Sequence, residues 1–230
     1  MLRELAHFLF WAPQSLYLKG RLSQAELYDR LMGRAESHGM APFRRRLVEG
    51  LRGEVLEVGA GTGLGLPYYG ADTRVVALEP DADFRALAAP RAAASAAQIE
   101  FDAGSLDALP FADGRFDAVV CALVLCSVGD VGTALGEMRR VLRPGGEVRL
   151  IEHVRSEGKL AGRLMDLANP VWLALNGQGC NLHRDTTRLL READYELLED
   201  TPFQLFSPGL PAFPMRLLRT RPRGPEERAR

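Results

Sequence analysis

Val55-Leu56-Glu57-Val58-Gly59-Ala60-Gly61-Thr62-Gly63 is the stretch that decides the fold of this chain. A short apolar run of strand length stops at a cluster of glycines. Open α/β sheets bring their backbone up to a ligand at such a bend. Glycine is needed there because a close backbone contact leaves no room for a β-carbon, and because such turns use positive φ. The spacing sharpens the reading. A dinucleotide fingerprint carries its last glycine at the sixth position of G-x-G-x-x-G. Counted from Gly59 that position is Leu64, and from Gly61 it is Leu66, so neither register fits. The motif is instead E-x-G-x-G-x-G, opening at Glu57. Glu79 ends the next apolar run, where an acid accepts hydrogen bonds from both ribose hydroxyls and disfavours a 2′-phosphate. A purely structural role for Glu79, capping the helix after Pro80, competes with this, but Asp81 serves that purpose equally well. A cofactor that bears adenosine without a pyrophosphate fits best.

Outward from the bend, further strand-like runs fall at 74–78, 99–101, 116–122 and 147–151, with a sixth at 195–198 and a last, antiparallel one at 213–219. Between them lie helix-like stretches. Residues 81–98 are alanine-rich, with Pro90 expected to kink or split the helix. Val131, Leu135, Met138, Val141 and Leu142 recur at helical spacing. Arg143-Pro144-Gly145-Gly146 then calls for a stop and a tight turn. Strands alternating with helices mean a parallel sheet covered on both faces. Residues 1–50 read as helices, with a capping box at Ser23-Gln24-Ala25-Glu26 and Pro42 in the first turn of a second helix. The expected organisation is a helical lid over 1–50, the main domain over 51–220 and a flexible tail over 221–230.

Composition narrows the partners. With 230 residues, 47% apolar and 26% charged, the chain suits one packed domain. The balance of 29 basic against 30 acidic residues excludes a single broad basic face for nucleic acid. Cys121, Cys126 and Cys180 form no C-x-x-C pair and no disulfide framework, so a reducing, cytoplasmic setting is expected. No run is long enough to span a bilayer. The apolar patch at 8–11 packs as a helix over the domain or makes peripheral contact with a membrane. The cysteines have no metal-ligand spacing, and no metal site is expected.

These residues resemble the class I S-adenosylmethionine-dependent methyltransferases. Leu109-Pro110-Phe111, Phe116-Asp117 and the run from Arg140 to Gly146 stand in the order and spacing of the branch that includes the quinone-pathway C-methyltransferases, with Glu152 closing the fifth strand. The resemblance implies a Rossmann-like, seven-stranded, mostly parallel α/β fold with S-adenosyl-L-methionine as cofactor. Glu57, Gly59, Ala60, Gly61 and Gly63 would hold its methionine end, and Glu79 with Pro80 its ribose. Ser105 and Leu106 fall where the family has an Asp and a small residue beside the adenine; Ser105 is a departure that removes a charge. Cys121 and Ala122 would lie along the cofactor by backbone contact.

The segment after the fourth strand, Ala122-Leu123-Val124-Leu125-Cys126-Ser127-Val128, lacks the Asn/Asp-Pro-Pro-aromatic tetrad of enzymes that methylate exocyclic amines of bases. Together with Glu152-His153-Val154 and Gly179-Cys180-Asn181-Leu182 it resembles the thiol S-methyltransferase group. A small apolar thiol is then the leading acceptor. Cys126 reads as a small buried hydrophobe, and His153 and His183 as catalytic candidates, with Asp166 and Asn181 behind them. Residues 156–182 and the first helices would roof the acceptor pocket and exclude water. A quinone or phospholipid-amine acceptor stays open, as does a catalytically silent cofactor-binding subunit. The chain is expected to act as a monomer or dimer.

Overall fold

The computed structural model describes residues 22–176, 179–205 and 213–224. The apolar patch at 8–11 and most of the expected tail lie outside the described residues. Seven strands form one sheet: β1 (Gly53–Val58), β2 (Thr73–Leu78), β3 (Gln98–Asp102), β4 (Phe116–Ala122), β5 (Leu142–His153), β6 (Tyr195–Leu205) and β7 (Phe213–Pro222). Their order is β3-β2-β1-β4-β5-β7-β6, with β1 to β5 parallel and β7 antiparallel to both neighbours. Among the described residues six α-helices accompany them: α1 (Gln24–Ala35), α2 (Ala41–Val48), α3 (Ala82–Ala93), α4 (Val131–Val141), α5 (Lys159–Asn176) and α6 (Thr186–Glu192). This is the Rossmann-like methyltransferase fold.

Alternation along buried strands builds two cores, because successive side chains point to opposite faces of a sheet. Leu56, Val76 and Val119 face one side and pack with Leu135 and Met138 of α4 and Leu190 of α6. Val55, Val75, Ala118 and Val120 face the other and pack with Leu47 of α2 and Ala88 of α3. Both faces are therefore covered. The capping box at Ser23 and Glu26 starts α1, and Pro42 sits in the first turn of α2. Between these helices Gly39 (φ 124°) turns the chain.

Three local expectations need correction. Pro90 does not split its helix: it sits in the last turn of α3, where the lost bond falls at an end that frays anyway. β5 begins at Leu142, and the segment from Arg143 to Gly146 bulges between the pairs Phe116–Leu142 and Ala118–Glu147, with Gly145 at φ 82°. β7 reaches Pro222, so the boundary expected at 221 falls inside a strand. The roof also differs in part. Along α5, Leu167 is 77% and Val171 56% exposed, whereas Met165, Trp172 and Leu173 turn inward.

Candidate active site

The strand order reverses direction between β1 and β4, and ligands of open α/β sheets bind at the carboxyl ends beside such a switch. The glycine bend stands there. Gly59, Gly61 and Gly63 have φ of 63°, 58° and 79°. A β-carbon on Gly59 would lie 2.7 Å from Val124 Cγ2, and one on Gly63 2.8 Å from Ala88 Cβ. At Gly61 it would meet the Tyr28 ring at 3.7 Å and Gly59 O at 3.9 Å, both ordinary contacts. The outer glycines are thus demanded by packing, and a shallow recess lies against the start of the bend at Gly59 and Ala60. Tyr28, Arg44, Glu57, Thr62, Leu64 and Ala122 line it with the bend itself.

Two buried oxygens in this lining, Glu57 Oε2 and Thr62 Oγ1, have no hydrogen-bond partner. Buried acceptors are rarely left so, and a donor-bearing group in the recess would satisfy them. Burial raises the Glu57 carboxyl to about 7, with Tyr69 and Arg44 pulling the other way. Across the bend, the Glu79 carboxylate accepts from Gly61 N at 2.9 Å and Asp81 N at 3.0 Å. A carboxylate has about four acceptor positions, so two remain for ligand hydroxyls. Pro80 is exposed, and its carbonyl accepts from Arg85. Ser105 turns into its own bend, its hydroxyl accepting from Asp107 N at 3.3 Å. Leu106 and Cys121 are core residues, and Ala122 alone of that pair lines the recess. The residues present fit an adenosine-bearing sulfonium cofactor, and no metal cluster occurs among the described residues.

A second cluster is built around Glu152, which is fully buried at the end of β5. One of its carboxylate oxygens accepts from Val124 N (3.0 Å) and Leu125 N (2.8 Å), the other from Cys126 N (3.0 Å). Leu123, at φ 65°, makes the turn that aims these amides at it. Burial raises the Glu152 carboxyl to about 7 despite the three donors. Arg184 holds the same loop by donating to the carbonyls of Leu125 and Val128. Asn181 N donates to Cys126 O at 2.9 Å, and Leu182 N to Asn169 Oδ1 of α5 at 2.7 Å, which lays the 179–182 turn over the loop.

His153 follows Glu152 and ends β5. It is 4% exposed, its ring meets Phe213 edge-on at 5.2 Å, and it lies beside the Cys180 sulfur. Trp172 packs on the same phenyl ring at 5.4 Å. Cys180 is held low by a hydrogen bond from Cys126 and, against burial, by His153 and Trp172. His183 is not gathered into this group. It lies exposed before α6, whose cap is Asp185, and it acts on Asp166, which is paired with Arg155. Sequence reasoning missed Tyr28 and Arg44 in the recess, which carry no motif, Thr62, which stands at a variable position of the glycine motif, and the contact of Cys180 with Cys126.

Comparison with known proteins agrees with this geometry. A methyltransferase-domain family model matches residues 56–150. Human thiol S-methyltransferase TMT1B is 35% identical over 150 residues, 63% of this chain and 61% of that protein. The chain thus spans less than two thirds of that relative's length. Phosphatidylethanolamine N-methyltransferase of Cereibacter sphaeroides is 31% identical over 188 residues, 80% of this chain and 88% of that one. The crystal structure of an S-adenosylmethionine-dependent methyltransferase from Aquifex aeolicus superposes with a TM-score of 0.59 at 15% identity, covering 86% of this chain and 99% of that one, a likeness of fold. The chain belongs to the class I S-adenosylmethionine-dependent methyltransferases, and S-adenosylmethionine is its cofactor. No helix among the described residues is long and apolar enough to cross a membrane.

The two raised carboxyls give a pH signature. The folded chain holds protons on Glu57 and Glu152 up to about pH 7, whereas their ordinary value is 4.5. Between these values the folded state binds more protons, so the stability they contribute is whole below 4.5 and is lost as pH rises through 7. Glu152→Gln is expected to flatten this fall by roughly 3 kcal/mol, read as urea midpoints across the same window. A variant with the wild-type slope would refute the assignment.

Proposed function

We propose that this enzyme methylates the sulfur of a small apolar thiol. The observation that carries the reading is His153: a buried imidazole set edge-on against Phe213 at the sheet's carboxyl edge, beside the Cys180 sulfur, with Trp172 on the same phenyl ring. Such a group is available to accept a proton from an acceptor that makes few polar contacts of its own. The thiol S-methyltransferase relatives support the acceptor class. Glu57 and the amides of the glycine bend hold the cofactor's methionine end, and Glu79 its ribose hydroxyls. S-adenosylmethionine supplies a methyl group already activated on a positively charged sulfur.

The chain's own residues then have three tasks. The bend and Glu79 fix the cofactor against the carboxyl ends of β1 and β2. The loop pinned by Glu152, with Trp172 above it, excludes water and orients the acceptor, which supplies most of the acceleration. His153 takes the proton. A thiol of pKa about 8.5 is a few per cent thiolate at neutral pH, so one weak base suffices.

The phosphatidylethanolamine N-methyltransferase relative matches a larger share of both chains than the thiol enzymes do, and this favours a lipid amine as the second reading. Purified enzyme with labelled cofactor is expected to methylate alkanethiols and to leave phosphatidylethanolamine vesicles unlabelled; the reverse pattern replaces the first reading by the second. Glu79→Ala is expected to weaken cofactor binding by roughly 1–3 kcal/mol in calorimetry, and unchanged affinity removes its ribose role. His153→Ala should lower turnover and leave cofactor affinity intact, whereas equal loss of both would mean that the ring only supports the fold.

A further inference from the structure

Two sulfurs meet beside the acceptor wall, and methyl transfer uses neither. Cys126 is 1% exposed on the loop after β4, its amide bound to Glu152. Cys180, half-buried, comes from the turn that crosses this loop. The crossing is tight: Asn181 N bonds Cys126 O at 2.9 Å, and a β-carbon on Gly179 would lie 3.2 Å from Ser127 O. The Cys126 thiol donates a hydrogen bond to Cys180, and the two are not joined as a disulfide. We propose that Cys180 and Cys126 are a redox-active pair, with Cys180 the reactive sulfur and Cys126 the resolving one, closed by peroxide into a disulfide that shuts down methyl transfer.

The two sulfurs differ in the way such a pair requires. The shared hydrogen bond, with His153 and Trp172 alongside, holds the Cys180 thiol below its ordinary value. The same bond and burial push Cys126 well above its own, with the Glu152 charge adding to the rise. The groups facing the pair are thus Ser127, 3.6 Å from the Cys126 sulfur, His153 and Glu152 from β5, Trp172 from α5 and Tyr28 from α1, whose hydroxyl responds to both sulfurs. Low-pKa, accessible thiolates are the ones that oxidants attack. The Cys180 thiolate attacks one peroxide oxygen and hydroxide leaves, forming a sulfenic acid. The Cys126 sulfur then attacks the sulfenic sulfur, and the hydroxyl departs with the Cys126 proton as water. Two thiols lose two electrons in all, and hydrogen peroxide becomes two molecules of water.

Closure would bind the 179–182 turn covalently to the loop that Glu152 pins, and it would withdraw both sulfurs from the wall next to His153. The inference stands whichever acceptor the enzyme uses, because its primary readout is covalent. The full chain treated with dilute hydrogen peroxide is expected to lose two hydrogen atoms in intact mass. Digestion should then yield the peptides of Cys126 and Cys180 joined, and methyl transfer should fall and return with dithiothreitol. In Cys126→Ser, Cys180 should stop at the sulfenic acid and take up dimedone; the wild-type peptide map carries the test if this variant does not fold. Peroxide that oxidises Cys121 or methionines without ever joining Cys126 to Cys180 overturns the pair. A disulfide that forms and leaves the rate of methyl transfer unchanged overturns its effect on the enzyme.

Discussion

The loop that follows the fourth strand depends on one buried carboxylate. Parallel strands end with backbone amides that have no ladder partner, and a loop leaving such an end must satisfy them or stay in water. Glu152 collects three of them, from Val124, Leu125 and Cys126, at a point where no solvent reaches. A lone buried charge would be costly, but a carboxylate filled by backbone donors is tolerated. The arrangement holds Leu123 in a left-handed conformation that a side chain rarely adopts. It places Cys126 under the 179–182 turn, and it sets His153, the next residue, at the strand's end.

The cofactor side follows the opposite logic. There the backbone is bare and the side chains are left with unused capacity. Gly59 and Gly63 have no room for a β-carbon, and Glu57 Oε2 and Thr62 Oγ1 are buried without partners. Glu79 does two jobs, tying the bend to the tip of β2 while keeping acceptor positions spare. Sites that are over-satisfied for structure and under-satisfied toward a cavity are the sites built for a ligand.

Parts outside this shared frame also reach the sheet's carboxyl edge. The helices α1 and α2, the α5 segment and the 179–182 turn supply Tyr28, Arg44, Trp172 and Cys180, none of which belongs to the sheet. The frame alone does not say which molecule receives the methyl group, since one fold serves many chemistries. In α5 the division is visible along a single helix. Trp172 turns to Phe213, whereas Leu160, Leu164, Leu167 and Val171 face outward.

The frame itself was legible in the chain. Apolar runs of strand length, the E-x-G-x-G-x-G bend, the acid ending the second strand and the Ser23 capping box are local signals, because each depends on residues a few positions apart. They determined the layered fold and the class of cofactor. Strand ends were less legible, since β5, β6 and β7 all run past their apolar runs wherever a neighbour extends the ladder. Tertiary structure alone brought Cys126 to Cys180 and Cys180 to His153, parted His183 from them, and turned Ser105 away into its own bend. Those outcomes are contacts between segments tens of residues apart. They arise from how loops close over a sheet edge, and no spacing in the sequence encodes them.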